Sequence, residues 1–450
     1  MAPSRLLEAA RRWQSARRIS VLTDERQPGA NREGWEPTED ISTLVTAIEN
    51  LDASLRIDYV SWEGELREPS PPAAAVLPLM TWSYYETPAA FERFLRLLGK
   101  LRAAGAQPSA DLRVLPWIAH KRYLVALSRA ADVAAAPAAV RVVVPTILLP
   151  AGTRASGLAA ARDALRCKHP SATSDAASVF GSDRSVFVGK PAVGGGGDGV
   201  ELVRDAADDG GESEAALLRV LGSGREVLLQ PFLPRVRSAG ELALVFVNEE
   251  LLHAVRKEPG GWGGGTPAAE AAAAEAHEAA VASGVCPSTN PCPHPSTNPC
   301  PHPSDKQPVS LLTRPPATAL AAARWALSEA RRQAGADDAG DGPIYLARVD
   351  LLPAGPASSP ASGGARHAAG HGALDGAGGA ESETWLVSEL EVGWPHLFLR
   401  ADPSGRHAAA AAEGLLRHLD IDLQAAKRRK RESMRESNGG HDGIESRESN

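Results

Sequence analysis

Three acidic residues in the last third of the chain have the spacing of strand residues that share one face of a sheet. Asp350 follows Arg348 by two positions in one apolar run, and Glu389 and Glu391 are two positions apart in another. Because side chains alternate along a strand, each pair projects to one side. If the two runs pair, three carboxylates meet, and hard oxygen ligands of this kind favour Mg²⁺, held jointly with nucleotide phosphates. The alternative is a solvated strand face on which Arg348 and Asp350 form an ordinary ion pair.

A lysine at the end of a predicted strand precedes a glycine-rich loop. The strand at 186–189 runs into Lys190, and the glycines that follow are Gly194, Gly195, Gly196, Gly197 and Gly199. Glycine lets backbone N–H groups surround an anion, because no Cβ blocks positive φ, and the lysine could neutralise a phosphate beside the loop. The pattern matches neither the P-loop nor the dinucleotide-binding motif. A flexible linker is the alternative.

A second apolar strand begins at 227 and ends at Gln230, because a proline follows it. Phe232 and Leu233 come next. Such an edge can present backbone groups to a planar base, although a strand of the hydrophobic core has the same pattern. Glu241 then starts another predicted strand.

The elements that must position these residues predict an α+β fold. A strand–helix–strand–strand–helix order predicts a small α/β lobe over 19–112. From 113 to 423, successive strands indicate antiparallel pairing rather than the parallel alternation of a dinucleotide-binding domain. The strands of this part are predicted at 140–144, 186–189, 227–230, 242–247, 251–255, 344–352 and 386–391. Its helices are predicted at 121–131, 213–222, 317–334 and 407–420.

Three segments are rich in Ala, Gly, Pro and Ser or in charge, and we predict that they are disordered: insertions at 266–312 and 353–383, and a basic tail at 424–450. The first insertion repeats an eight-residue unit, at 287–294 and 295–302, that contains Pro, Cys and His. Its cysteines are too far apart for a structural zinc site, and its prolines would interrupt a helix or a sheet around one. The basic run in the tail resembles a nuclear import signal, although a solvated tail is the commoner explanation.

Composition excludes several classes of protein. The chain has 450 residues, with 48 Lys and Arg against 55 Asp and Glu, and a net charge of −7, which argues against a general affinity for nucleic acid. It has no run of about 18 apolar residues, so no membrane-spanning helix is predicted. Four cysteines, three of them in the first insertion, indicate no disulfide framework and favour the cytoplasm. The Arg-rich extension at 1–18 leaves an organelle as the alternative.

In their order and spacing, these motifs resemble the ATP-grasp superfamily over about residues 19–420. Four segments look more closely like the microbial group typified by O-ureido-D-serine cyclo-ligase: 80–85 (MTWSYY), 120–124 (HKRYL), 253–257 (HAVRK) and 389–399 (ELEVGWPHLFL). The resemblance implies an ATP-grasp fold, in which two α+β subdomains clasp ATP, preceded by a small α/β lobe.

The resemblance also implies how ATP is bound. Lys121 and Lys190 would hold the phosphates, and the glycine loop would close over them. The backbone at 230–233 would contact the adenine, and Glu241 would bind the ribose hydroxyls.

The same resemblance implies the catalytic groups. Asp350, Glu389 and Glu391 would bind Mg²⁺, and Arg256 and Arg348 would stabilise the oxyanions of an acyl-phosphate. The third metal position is often Asn in the superfamily and is Glu391 here, as in the cyclo-ligase-like group.

The implied activity is that of an ATP-dependent ligase that forms carbon–nitrogen bonds through an acyl-phosphate, between two amino-acid-like substrates or within one. The alternative is an inactive ATP-binding regulatory or scaffold protein of the same fold. The loop after Lys257, which contacts substrate in the superfamily, runs through 260–265 into the repeat insertion. Expected partners are ATP and small molecules, with no nucleic acid and no membrane, and a homodimer is an open alternative.

Overall fold

The structure is a computed structural model. It describes residues 18–24, 39–62, 75–81, 83–103, 109–133, 142–168, 186–194, 199–204, 210–258, 309–336, 343–356, 383–393 and 395–418. These residues form an α+β structure with three sheets, which is the fold class that the sequence predicts. None of the helices in these ranges combines the length and the apolar character that crossing a bilayer requires.

The N-terminal lobe is built on a parallel sheet of three strands. The strands are β1 (Arg18–Thr23), β2 (Arg56–Ser61) and β3 (Ala75–Met80), in the order β2-β1-β3. Helix α1 (Glu39–Leu51) lies between β1 and β2 in the chain, and helix α2 (Pro88–Ala103) follows β3. Parallel strands need crossover connections, and α1 lies in the connection between β1 and β2.

Two helices lead from this lobe to the rest of the chain, α3 (Ser109–Ile118) and α4 (Tyr123–Val133). Helix α3 is absent from the sequence prediction. It contains Pro116, and proline normally interrupts a helix interior. The short segment between the two helices carries Lys121.

A small antiparallel sheet forms the next layer, with strand order β4-β7-β5-β6. Its strands are β4 (Ile147–Leu149), β5 (Phe187–Pro191), β6 (Glu201–Val203) and β7 (Val227–Pro231), and its helices are α5 (Ala155–Lys168) and α6 (Glu212–Gly222). The two helices pack on one face. Gly189 lies so close to α6 that a Cβ there would be 2.5 Å from Leu217 Cδ1. Because side chains alternate along β5, Lys190 projects from the opposite face.

The largest sheet has five strands, and every neighbouring pair is antiparallel, in the order β10-β9-β8-β11-β12. The strands are β8 (Glu241–Val247), β9 (Glu250–Lys257), β10 (Val309–Leu312), β11 (Leu346–Pro356) and β12 (Glu383–Val392). A short helix, α7 (Val236–Ala239), connects β7 of the small sheet to β8.

Helices cover both faces of the large sheet. Helix α8 (Ala317–Ala334) packs on the face that includes Leu242 and Leu244, whereas α9 (Arg406–His418) and α1 pack on the face that includes Ala243 and Val245. Helix α9 approaches β8 closely at Gly414, where a Cβ would lie 2.3 Å from Val247 Cγ1. The N-terminal lobe therefore shares a hydrophobic core with the face of the sheet that also carries the acidic residues.

Two predicted boundaries need correction. Residues 309–312, which we assigned to the first disordered insertion, form β10, because their backbone pairs with β9 from Val309 opposite Lys257 to Leu312 opposite Ala254. The second insertion begins and ends inside strands, since β11 extends to residue 356 and β12 starts at 383. The remaining residues of both insertions lie outside the described ranges.

A predicted strand at 140–144 is also wrong in extent. Val143 makes a single parallel bridge to Val387, with Val144 N–H donating to Val387 O at 3.0 Å and Val387 N–H donating to Val142 O at 2.8 Å. The segment therefore covers part of the edge of β12 without forming a strand of its own.

One histidine of β9 is buried without a polar partner. His253 is 5% exposed, and neither ring nitrogen has a hydrogen-bond partner among the described residues. Its ring lies 4.6 Å from that of His407, and the charges of Asp40 and Asp402 act to raise its pKa. Burial, together with the neighbouring His407, lowers the pKa of His253 to about 4.

This burial predicts a loss of stability in mild acid. Between the ordinary pKa of 6.5 and the native pKa of about 4, the unfolded chain binds a proton at His253 that the folded chain does not, so stability falls as the pH falls through this window. We expect the free energy of unfolding to be about 2 kcal/mol lower at about pH 5 than at about pH 7 on account of His253. Denaturant unfolding at both pH values should show a smaller difference for His253→Phe. An unchanged difference in that variant would assign the acid sensitivity to other groups, such as His418, whose pKa burial also lowers to about 4.

Candidate active site

The three acidic residues meet where β11 and β12 pair. Asp350 lies opposite Glu389, and Arg348 lies opposite Glu391. One carboxylate oxygen from each acid lies within 4.8 Å of the others. The expected convergence of the three carboxylates is therefore present.

Arginine and lysine side chains neutralise this cluster. Arg348 is 7% exposed and binds Asp350 through two hydrogen bonds of 2.8 Å, from Nε to Oδ1 and from Nη2 to Oδ2. The same Nη2 donates to Glu391 Oε1 at 2.7 Å. Lys257 Nζ lies 2.9 Å from Asp350 Oδ2, and Lys121 Nζ lies 2.8 Å from Glu389 Oε1. Each carboxylate of the cluster thus has a cationic partner.

The neighbouring charges decide how each acid titrates. Burial alone would raise the pKa of Asp350, but Arg348 and Lys257 outweigh burial and hold that pKa below its usual range. Burial likewise opposes ionisation of Glu389, yet Lys121 and Lys190 lower the pKa of this group. At Glu391, burial and the other two carboxylates prevail over Arg348, so its pKa is raised.

Lys190 faces the cluster from the small sheet. It is 8% exposed, and its pKa is lowered, chiefly by burial and also by the nearby Lys121, while Glu389, Glu241 and Asp350 act in the opposite direction. A buried ammonium of this kind is stabilised by a negatively charged ligand.

The segment that carries Lys121 is fastened to the small sheet. The backbone N–H of Lys121 donates to the carbonyl oxygen of Ala192, directly after β5, at 2.6 Å. On either side of it, His120 Nε2 lies 2.8 Å from Glu226 Oε2, and Arg122 Nη2 donates to the same oxygen at 3.1 Å. These contacts bring Lys121 and Lys190 to one place although about 70 residues separate them in the chain.

Glu241 and Lys257 form a buried ion pair at the start of β8 and the end of β9, where they lie opposite each other. Gly240 precedes Glu241 with φ of 72°, and a Cβ at this position would lie 2.2 Å from Lys257 O. Burial raises the pKa of Glu241 to about 7. The charge of Asp350 also raises this pKa, whereas Lys257 lowers it. Lys257 touches both Glu241 and Asp350, so it belongs to the site, although the sequence analysis did not select it.

Arg256, in contrast, is not brought to the cluster. Side chains alternate along β9, so Arg256 projects from the face opposite to Lys257. It lies opposite Leu242 on one neighbouring strand and Ser310 on the other, and its Nε is buried without a partner among the described residues. Of the two arginines, Arg348 alone lies at the carboxylates, and the oxyanion role of Arg256 stays a prediction that this geometry does not support.

The expected adenine-binding segment, 230–233, lies where the chain leaves β7 of the small sheet toward the large sheet. Gln230 is buried, and its Nε2 donates to Thr146 Oγ1 at 2.9 Å. Phe232 N–H donates to Val186 O at 3.1 Å, and Leu233 packs in a small cluster with Val144. The position suits an adenine site, and the contact itself remains a prediction.

Only the ends of the glycine loop are described. Gly194 follows the small sheet, and Gly199 has φ of 68°, in the left-handed region that favours glycine. The predicted phosphate contacts of Gly195, Gly196 and Gly197 lie outside the described residues.

A buried aspartate ties the N-terminal lobe to the site. Asp40, at the start of α1, accepts hydrogen bonds of 2.7–2.8 Å from the backbone N–H groups of residues 397–399 and lies 2.8 Å from His396 Nδ1. Burial would raise the pKa of Asp40, but His396 and these N–H groups lower it. The same loop places the ring of Phe398 5.5 Å from Arg348 Cζ and 5.8 Å from Lys257 Nζ. No periodic sequence pattern signals such a contact.

Two antiparallel sheets that enclose lysines and a carboxylate cluster, behind a parallel N-terminal lobe, define the ATP-grasp fold that the sequence predicts. The solved structure of D-cycloserine synthetase DcsG matches 89% of this chain and 99% of its own, with 21% identity and a TM-score of 0.55. D-alanine–D-alanine ligase from Bacillus anthracis, solved with ATP, is similar over 92% of this chain and 99% of its own, with 13% identity and a TM-score of 0.45. No protein-family model and no curated protein sequence matches the chain.

Proposed function

We propose that the protein is an ATP-dependent ligase that activates a substrate carboxylate as an acyl-phosphate and joins it to an amine, with release of ADP and phosphate. The observation that supports the proposal is the meeting of Lys121 and Lys190 with Asp350, Glu389 and Glu391 in an ATP-grasp fold. Cations that bind phosphate oxygens and carboxylates that bind a metal are the two parts that phosphoryl transfer from ATP requires.

The acidic cluster fits Mg²⁺. It offers carboxylate oxygens, which are the ligands this ion prefers, and these oxygens are close enough to one another to share an ion. Asp350, Glu389 and Glu391 would hold the metal. When bound, Mg²⁺ would neutralise phosphate charge in the transition state.

The protein's own groups account for the rest of the chemistry. Lys121 and Lys190 are suited to bind and orient the phosphates. Arg348 lies between Asp350 and Glu391 with its guanidinium buried, where it can stabilise the oxyanions that develop as the phosphoryl group reaches the substrate carboxylate. Burial of Lys190, Arg348 and Asp350 supports exclusion of water, which an acyl-phosphate needs if it is to meet an amine before it is hydrolysed.

The N-terminal lobe is the part best placed to bind the substrates. Ser83 and Tyr84 follow the carboxyl end of β3, where ligands of parallel sheets commonly bind. Asp24 fixes this edge by accepting hydrogen bonds from Trp62 Nε1 at 2.7 Å and from Ser83 Oγ at 2.7 Å. Tyr84 is buried near Glu391 and Glu389, and burial and these charges raise its pKa.

We propose amino-acid-like substrates, in keeping with the D-cycloserine named for DcsG. Either two molecules react or one forms a ring.

An ADP-release screen tests the proposal. Purified protein with Mg·ATP should release ADP when pools of amino acids and dipeptides include the correct acid, and chelation of Mg²⁺ should stop the release. Hydroxylamine added in place of the amine should trap the activated acid as a hydroxamate, because it displaces phosphate from an acyl-phosphate. Calorimetric binding of ATP without ADP release from any pool would instead favour the inactive regulatory protein.

A further inference from the structure

A tyrosine hydroxyl is hydrogen-bonded to the backbone of β12 between the two glutamates of the cluster. Tyr123 Oη donates to the carbonyl oxygen of Leu390 at 3.0 Å and accepts from the N–H of the same residue at 2.8 Å. Leu390 stands between Glu389 and Glu391 in the chain. One hydroxyl thus satisfies both backbone groups of the residue that links two of the three carboxylates.

Strand β12 needs such a partner because it lies at the edge of the large sheet and pairs along its length with β11 on one side only. The outward backbone groups of an edge strand have no neighbouring ladder to hold them. Val387 exchanges hydrogen bonds with the segment at 142–144, and the pairing with β11 shifts register between Leu351 and Asp350. After this register shift, the hydroxyl of Tyr123 binds the outward backbone groups of Leu390, which a neighbouring strand would otherwise bind, between the two glutamates.

We propose that Tyr123 is a positioning residue. It fixes the positions of Glu389 and Glu391 relative to Lys121. The proposal rests on the proposed function. Tyr123 is only two residues beyond Lys121, whose Nζ binds Glu389 and whose backbone is fastened to Ala192. The segment at 121–123 therefore contacts the metal-binding strand twice, once through a side-chain ion pair and once through the hydroxyl.

The surroundings of the hydroxyl keep it able to donate. Tyr123 is 2% exposed, and burial together with the charge of Glu389 raises its pKa well above the usual value, so the phenol stays protonated. The ring itself packs beside Trp117, with centroids 5.5 Å apart. A phenylalanine would keep this ring contact and lose both hydrogen bonds, so the substitution separates positioning from packing.

Tyr345 provides the matched control. It is 1% exposed, and its hydroxyl donates to the backbone carbonyl of Ala411 at 3.3 Å, on helix α9. Tyr345→Phe therefore removes a buried tyrosine hydroxyl bound to backbone without removing a hydrogen bond to β12.

The experiment titrates MgCl₂ into protein saturated with AMPPNP, by calorimetry, subtracts the heat of the same titration into AMPPNP alone, and measures melting temperature and hydrogen exchange in parallel. We expect Tyr123→Phe to weaken Mg²⁺ binding about tenfold, the scale of losing a group that orients metal ligands, whereas Tyr345→Phe should leave Mg²⁺ binding unchanged. Amide exchange of the peptide that contains Leu390 should accelerate in Tyr123→Phe alone.

Three outcomes would overturn the inference, and they are distinguishable. Wild-type binding of Mg²⁺ together with unchanged Mg²⁺ affinity in Tyr123→Phe would reduce Tyr123 to a packing residue and leave the proposed function intact. A wild-type protein that binds no Mg²⁺ with AMPPNP would remove the proposed function, and the inference with it. Equal losses of Mg²⁺ affinity in both variants would likewise count against positioning, because they would report general destabilisation.

Discussion

Replacing Glu389 with glutamine is expected to lower ADP release on the order of 10²-fold or more while the protein stays folded. The change removes one negative charge from a cluster in which the carboxylate oxygens are within 4.8 Å of one another, and it frees Lys121 from its 2.8 Å ion pair. The amide keeps the shape of the side chain, so packing is preserved. Steady-state ADP release at saturating Mg²⁺ measures the effect, and Glu391→Gln should behave in the same way.

Glu214→Gln is the matched control for this prediction. Glu214, on α6, is 23% exposed and binds Arg162 of α5 at 2.9 Å, whereas Glu389 is 26% exposed and binds Lys121. Both substitutions therefore remove one ion-paired carboxylate of similar exposure. Near-normal rates for Glu389→Gln and Glu391→Gln would mean that these acids are a solvated strand face. Equal losses in the control would point to stability instead of catalysis.

Lys190→Met is expected to weaken binding of Mg·ATP at least tenfold, which corresponds to about 1.4 kcal/mol. The buried ammonium faces the carboxylates from the small sheet, and methionine keeps the length of the side chain without the charge. Removing a buried charge should leave the melting temperature of the ligand-free protein unchanged or raised, because the folded chain no longer has to desolvate an ammonium. Loss of affinity together with retained stability is the signature of a ligand-binding lysine.

Calorimetric titration of Mg·ATP and thermal unfolding together decide this prediction. Lys100→Met changes the net charge equally at an exposed position of α2 and should leave ATP affinity unchanged. An unchanged affinity in Lys190→Met would contradict the role of Lys190. A lowered melting temperature would show that the ammonium stabilises the folded protein by itself.

Local patterns were sufficient for several elements. Helix α8 has the predicted bounds, 317–334, because an apolar stripe with helical spacing runs through it. Thr87 accepts a hydrogen bond from Ala90 N–H at 3.1 Å, and Pro88 takes the first position of α2, as expected for a helix start. Arg348 and Asp350 share a face because the period of a strand is two, which needs no knowledge of the rest of the fold.

Some contacts between distant parts of the chain could not be predicted. Arg256 and Lys257 are adjacent in the chain, so one of them must project from each face of β9, and only the pairing with β8 shows that Lys257 is the one at Asp350. Strand β10 was missed because it follows directly on a compositionally biased insertion and has only four residues. The contacts of Tyr123 with Leu390 and of Asp40 with residues 397–399 join positions more than 200 residues apart.

Under the proposed function, the pairing of each acid with a base also determines how nucleotide and metal would bind. Glu241, Asp350, Glu389 and Glu391 face Lys121, Lys190, Lys257 and Arg348, so four potential anions meet four cations and the centre is close to electroneutral. A triphosphate alone would draw the lysines away and leave carboxylates uncompensated, and a divalent ion alone would leave buried ammonium groups uncompensated. Each ligand would therefore supply the counter-ion that the other displaces. By thermodynamic linkage, each should increase the affinity for the other by the same factor, and the centre should accept the two as a pair.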